Sequence, residues 1–133
     1  MIYTHQIQIE FNHCDPAGIV FFPRFYEMIS SACENFHKDV GGLPYARMVA
    51  AQQGVPTVRM ETDFHAPARL GEVLDFRVEV EKLGRSSILF KVTAWEGGVN
   101  RLTARMTQAF VQGLKARSWP DDVRARIEAF MAG

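Results

Sequence analysis

Hydrophobic and polar residues alternate strictly near the start of the chain. Tyr3, His5, Ile7, Ile9 and Phe11 share one face, and Thr4, Gln6, Gln8 and Glu10 the other. A period of two predicts a half-buried strand over 3–11. From Phe25 the period lengthens. Phe25, Met28, Ile29, Ala32, Cys33 and Phe36 follow the i, i+3, i+4, i+7 spacing of one helical face, which predicts a helix over about 23–39. Pro23 suits its first turn, where the N–H it lacks would have no partner, and Gly41-Gly42 ends it. The stripe is wide and includes small residues, so this helix is expected to lie deeply buried against a sheet.

A shorter helix is expected between Leu43 and Gln53, closed by Gly54. Period-two alternation then returns four times. It sets Val58, Met60, Thr62 and Phe64 on one face of a strand over 56–64. Leu74, Phe76, Val78 and Val80 form the next face, followed by Ile88, Phe90, Val92 and Ala94 within 87–95. Leu102, Ala104, Met106 and Phe110 are expected to point inward from a strand over 101–111. Gly84-Arg85 and Gly97-Gly98 supply hairpin turns. A last helix begins near Ser118, with Pro120, Asp121 and Asp122 in its first turn and Val123, Ile127 and Phe130 as its stripe. The order of strand, long helix, four strands and short helix is solved most economically by an antiparallel sheet wrapped around one buried helix, an α+β fold. No repeat, linker or low-complexity segment interrupts it, so residues 1–133 are read as a single domain.

Composition narrows the function classes. Hydrophobic residues make up 47% and charged residues 23%, the balance of a soluble globular protein. Lys+Arg and Asp+Glu stand at 15 each, so no net field recruits nucleic acid or an anionic membrane. No apolar run approaches the ~20 residues of a membrane span, and the N-terminus lacks a signal-peptide profile. A cytoplasmic protein with neither nucleic-acid nor membrane partners is expected. Two cysteines, Cys14 and Cys33, make no disulfide framework there. Cys33 reads as a small buried hydrophobe. Cys14 adjoins Asp15, yet no base is placed to activate it. The four histidines show no metal-ligand spacing, and neither a metal nor a cofactor is expected.

Residues 13–23 hold the candidate chemistry: His-Cys-Asp-Pro-Ala-Gly-Ile-Val-Phe-Phe-Pro. A polar turn carries one carboxylate, Asp15, and a short apolar run leads from it to the start of the long helix. Backbone N–H groups at a helix start have no internal acceptor and sit at its positive end. An acid held there can act on a carbonyl that those groups polarise. The plainer alternative is an ordinary turn, since Asp, Pro and Gly are the usual turn formers.

The run Phe11-Asn12-His13-Cys14-Asp15-Pro16-Ala17-Gly18-Ile19-Val20-Phe21-Phe22-Pro23-Arg24-Phe25-Tyr26 resembles the hotdog-fold acyl-CoA thioesterases of the 4-hydroxybenzoyl-CoA thioesterase type. The element order extends the likeness over nearly the whole chain. This resemblance implies a five-stranded antiparallel sheet curled around a long helix, with a short C-terminal helix. It also implies acyl-CoA as the partner, and homodimers that assemble into homotetramers with active sites at subunit interfaces. Carried over by position, Asp15 becomes the catalytic carboxylate, as nucleophile or general base, and the Phe22 backbone N–H the oxyanion donor. His13 either orients Asp15, contacts substrate or is a plain loop histidine. Gly18 joins the substrate-binding residues.

Departures from the family bear on specificity. Pro23 stands where a branch acting on short acyl chains carries a histidine, which draws the chain toward the aroyl-CoA branch. Ser30 stands where the hydroxybenzoyl enzyme has an acidic residue for the ring hydroxyl. An unsubstituted or otherwise substituted aromatic acyl group therefore suits it at least as well. Phe21, Phe22, Phe25 and Tyr26 either line an acyl pocket or fill the core. Glu27 and Glu34 lie off the apolar stripe, with Glu34 spaced to pair with Lys38. For the CoA phosphates, the turn Lys82 to Ser87 offers Arg85 and Ser86, or else is a hairpin tip with solubilising charge. The expected function is hydrolysis of an aromatic or short acyl-CoA to CoA and a carboxylic acid. The alternative is a hotdog module that binds acyl-CoA without turnover. A hotdog hydratase or dehydratase would need an Asp–His pair in a different loop motif, which this chain lacks.

Overall fold

A computed structural model describes all 133 residues. In chain order it begins with β1 (Tyr3–Gln8), α1 (Phe22–Asp39), α2 (Tyr45–Ala50), β2 (Gln53–Gly54) and β3 (Thr57–Phe64). It continues with β4 (Val73–Leu83), β5 (Ser87–Glu96), β6 (Val99–Ala109), β7 (Val111–Gln112), β8 (Lys115–Ala116) and α3 (Asp121–Ala132). Five strands make the main sheet in the order β1-β4-β5-β6-β3, each neighbouring pair antiparallel. The sheet packs around α1 in the expected hotdog arrangement.

The alternation in sequence becomes one buried layer. Leu74, Phe76 and Val78 of β4, Ile88, Phe90, Val92 and Ala94 of β5, and Leu102, Ala104 and Met106 of β6 are all buried. Against them lies the stripe of α1: Phe25, Met28, Ile29, Ala32, Cys33 and Phe36. Phe36 is the hub, its ring edge-on to Phe90 at 5.1 Å and to Phe130 of α3 at 5.2 Å. Truncating so central a ring typically costs about 3–5 kcal/mol. No helix is long and apolar enough to cross a membrane.

Several expectations need correction. The first strand stops at Gln8. Phe11 opens a 3-10 turn (Phe11–His13) and is 83% exposed, because the Glu10 amide donates to His13 Nδ1 at 2.8 Å and bends the chain there. The second helix is shorter than 43–53, starting after Pro44 and ending before Gln52, whose φ is +56°. The last long strand ends at Ala109, so Phe110 is buried from beyond it, and Gln108 takes an inward position. Lys38 lies 3.9 Å from Asp39 rather than against Glu34, and Glu27 pairs with Arg24 at 2.8 Å.

β3 closes one side of the sheet and has no strand beyond it. Val58 and Phe64 on this edge strand are 61% and 46% exposed. These two apolar side chains are open on an edge strand that also carries Arg59, Glu61 and Asp63, and such edges are usually covered or blunted by charge.

Candidate active site

Asp15 sits at the head of a tight hairpin. Cys14 pairs with Val20, the Asp15 amide donates to Ile19 O at 3.0 Å, and the Gly18 amide donates to Asp15 O at 3.0 Å. Gly18 has φ +77°, the left-handed value this three-residue turn demands and that a side chain resists. The Asp15 carboxylate is half-buried. Its Oδ1 accepts the Ala17 amide at 2.9 Å, and Oδ2 takes no hydrogen bond from the chain. One oxygen is thus fixed and the other is free to react.

The hairpin leads directly into α1. Phe21 precedes the helix, and its amide donates to His13 O at 3.0 Å, so the helix start is tied to the segment carrying Asp15. No side chain caps this helix, and its first turn holds no acidic residue. Pro23 has no N–H, and the Arg24 amide turns back to Phe21 O at 2.8 Å. The Phe22 amide is left without an acceptor in the chain, at the positive end of an 18-residue helix. Beside it lies an apolar cleft of about 310 Å³ lined by Val20, Phe22, Phe25, Phe64, His65, Ala66 and Pro67. Phe64 is its aromatic centre, with ring centroids 6.2 Å from Phe22, 5.9 Å from Phe25 and 6.3 Å from Tyr26.

The other sequence candidates fall apart in space. His13 spends Nδ1 on the Glu10 amide rather than on Asp15. Ser30 is exposed on α1, about 12 Å of helical rise from Phe22. Arg85 and Ser86 lie in the turn beyond β4, whereas the Asp15 hairpin packs on the segment just before β4. The 11 residues of β4 separate the two ends by roughly 35 Å. At that far end Ser86 O accepts from Phe110 and Arg85 O from Trp119, while the Arg85 and Ser86 amides have no acceptor. A larger apolar cavity of about 430 Å³ opens there, with Tyr45, Met48, Val55, Pro56, Val111 and Leu114 among its lining.

The model of the thioesterase superfamily matches residues 18–103. The chain belongs to that superfamily. The matched span opens just after Asp15 and takes in Phe22, Ser30, Arg85 and Ser86. A 4-hydroxybenzoyl-CoA thioesterase from Pseudomonas sp. (strain CBS-3) is 33% identical over 89 residues, which is 65% of this chain and 62% of that protein. The chain thus matches less than two thirds of that relative's length. The crystal structure of a thioesterase superfamily protein from Jannaschia sp. CCS1 is similar with a TM-score of 0.87, at 26% identity over 96% of this chain and 91% of that one. A Staphylococcus aureus protein solved in complex with CoA shares the fold alone. Its TM-score is 0.92 at 13% identity, over 99% of this chain and 85% of that one.

Two features of this thioesterase-superfamily site were not legible in sequence. Phe64 was visible only as the last residue of an alternating strand, with nothing to say that it meets Phe22 across 42 residues. The large cavity is built where the expected short helix α2 meets β2 and the β7–β8 turn, two-residue strands too short for periodicity to register.

Proposed function

We propose that this protein hydrolyses an acyl-CoA thioester carrying an aromatic or short acyl group. The observation that carries this reading is the unpartnered Phe22 amide at an uncapped helix start, tied to the hairpin that presents Asp15. A thioester oxygen gains negative charge on attack, and a fixed N–H at that point stabilises it. Losing one such donor typically raises a barrier by about 3–4 kcal/mol. Two routes balance. Asp15 attacks the carbonyl carbon, CoA thiolate leaves, and water cleaves the resulting anhydride. Alternatively, Asp15 takes a proton from water, the hydroxide adds, and the proton passes to the departing thiolate. The free Oδ2 suits either.

The same reading takes the protein as a homodimer, itself the unit of a homotetramer, with the sites between subunits. Antiparallel pairing of two β3 edges sets the Phe64 end of one copy beside the Thr57 end of the other. The first end carries Asp15, Phe22 and the smaller cleft. The second carries the larger cavity and, through the Phe110–Ser86 and Ala109–Pro56 hydrogen bonds, the Arg85–Ser86 turn. Two copies thereby unite candidates that one chain holds roughly 35 Å apart. The free amides of Arg85 and Ser86 suit a CoA phosphate, and the relative named a 4-hydroxybenzoyl-CoA thioesterase supports CoA as the carrier. Ser30 offers a hydroxyl but no carboxylate, so an acyl ring that is unsubstituted or otherwise substituted suits it at least as well as one with a 4-hydroxyl. Free-thiol release from benzoyl-, 4-hydroxybenzoyl-, phenylacetyl- and aliphatic acyl-CoAs tests the reading. Tight binding with no turnover of any of them would leave a non-catalytic binding module instead.

A further inference from the structure

The Asp15 hairpin does not stand alone. Its second arm pairs with the connection between β3 and β4: Val20 donates to Ala68 O at 2.9 Å, Leu70 donates to Gly18 O at 3.0 Å, and Ile19 bridges Arg69. The geometry of Asp15 and of the Phe22 amide therefore depends on where residues 67–70 are held. Those residues have little core of their own, since Pro67, Arg69 and Leu70 are exposed and only Ala68 is buried.

What holds them is Arg101. It belongs to β6, on the face opposite Leu102, yet its side chain is only 9% exposed because the connection folds over it. Its backbone oxygen accepts the His65 amide at 2.9 Å and the Ala66 amide at 3.3 Å. Its Nη1 donates to Pro67 O at 2.9 Å and to Glu72 Oε1 at 2.8 Å. Its Nη2 donates to Glu72 Oε2 at 3.0 Å, Glu96 Oε2 at 2.9 Å and Glu96 O at 3.1 Å. Glu72 Oε1 in turn accepts the Arg69 amide at 2.6 Å, and the Glu72 oxygen on the main chain accepts from Ile9. One guanidinium thus clamps both ends of the segment against which the hairpin is registered. A planar fork can do this where a point charge cannot.

We propose that Arg101, acting through Glu72 and the 67–70 backbone, is a positioning residue for the Asp15 hairpin and the Phe22 amide. The inference rests on the thioesterase reading for its kinetic consequence, but its structural content is separable. A buried ion pair by itself adds little net stability against a well-packed apolar replacement. The fork's distinctive contribution is the register of the hairpin.

The test compares wild type with the double variant Arg101→Met/Glu72→Gln, which removes both charges, and with Arg101→Lys, which keeps the charge and loses the fork. Amide exchange is read at Val20 and Leu70 against β5. In the double variant these two amides should exchange at least about tenfold faster relative to β5. After normalising to folded protein, kcat should fall on the order of 10- to 100-fold while KM changes little. Arg101→Lys should lie between, and it decides the matter if the double variant does not fold. Uniform exchange across hairpin and sheet, with kcat per folded protein unmoved, would overturn the proposal and leave a plain stabilising ion cluster. If wild type hydrolyses no acyl-CoA, the functional reading fails while selective exchange at Val20 and Leu70 still decides the positioning claim.

Discussion

The Ala17 amide donates to Oδ1 of Asp15 at 2.9 Å, so the candidate catalytic carboxylate is held by the turn that follows it. That turn closes only with Gly18 at φ +77°, where an added Cβ would meet nothing within 4 Å but would strain the backbone. Gly18→Ala should therefore cost about 1–2 kcal/mol from backbone strain alone. Turnover should fall further than the stability loss explains. Denaturant midpoints and kcat measured on the same preparations check this, and an unchanged kcat would detach Asp15 from the turn.

A second prediction concerns the core. His37 of α1 is fully buried against β6, with Nε2 2.8 Å from Gln108 Oε1 and its ring stacked on Trp119. Burial lowers its pKa from 6.5 to about 4, against a smaller upward pull from Gln108. Between those values the unfolded chain binds a proton that the folded chain refuses, so stability falls as the pH drops. The contribution is whole above pH 6.5 and shrinks by on the order of 3 kcal/mol toward pH 4. Denaturant unfolding at pH 7, 5.5 and 4.5 should show this slope, and His37→Gln should flatten it. Glu72, held down to about 2 chiefly by Arg101, weakens only below its ordinary 4.5, outside most of that window.

Much of the fold was legible because buried faces are periodic. The α1 stripe from Phe25 to Phe36 and the inward residues of β4, β5 and β6 all follow from spacing. What escaped has no period. Gln108 shares the register of Leu102, Ala104 and Met106, so parity alone pointed it inward, but its polarity hid the partner, His37. Phe11 kept the strand's parity while the His13 ring, accepting the Glu10 amide, had already turned the chain. The Arg101–Glu72 pair joins residues 29 apart on faces that read as solvent-facing charge. Asp15 and Phe22 stand out as candidates in the sequence because the run that holds them is contiguous. Arg85 and Ser86 stand in a turn that suits phosphate, but no sequence pattern says that one chain puts them at the opposite end of its own sheet.

The third prediction is oligomeric. Val58 lies on the β3 edge, 61% exposed and outside the Asp15 hairpin. Wild type should sediment as a dimer or tetramer. Val58→Arg should shift it toward monomer with an unchanged far-ultraviolet spectrum, and thiol release should fall with it. A monomeric wild type that hydrolyses acyl-CoA at full rate would rule out a site shared between copies.

The fourth concerns specificity. In the proposed reading, Ser30→Asp introduces a carboxylate at the position that would meet a ring hydroxyl. The ratio of kcat/KM for 4-hydroxybenzoyl- over benzoyl-CoA should rise, by roughly tenfold for one charge-assisted hydrogen bond of about 1.5 kcal/mol. An unchanged ratio would place the ring elsewhere.

The most direct measurement is thiol release from the acyl-CoA panel by wild type and Asp15→Asn side by side. Asparagine keeps an oxygen for the Ala17 amide, so the hairpin should survive while the carboxylate is gone. Turnover of one acyl class by wild type, reduced roughly 10²- to 10⁴-fold in the variant with an unchanged melting temperature, is the predicted result. Equal turnover by the two proteins would contradict the central role of Asp15.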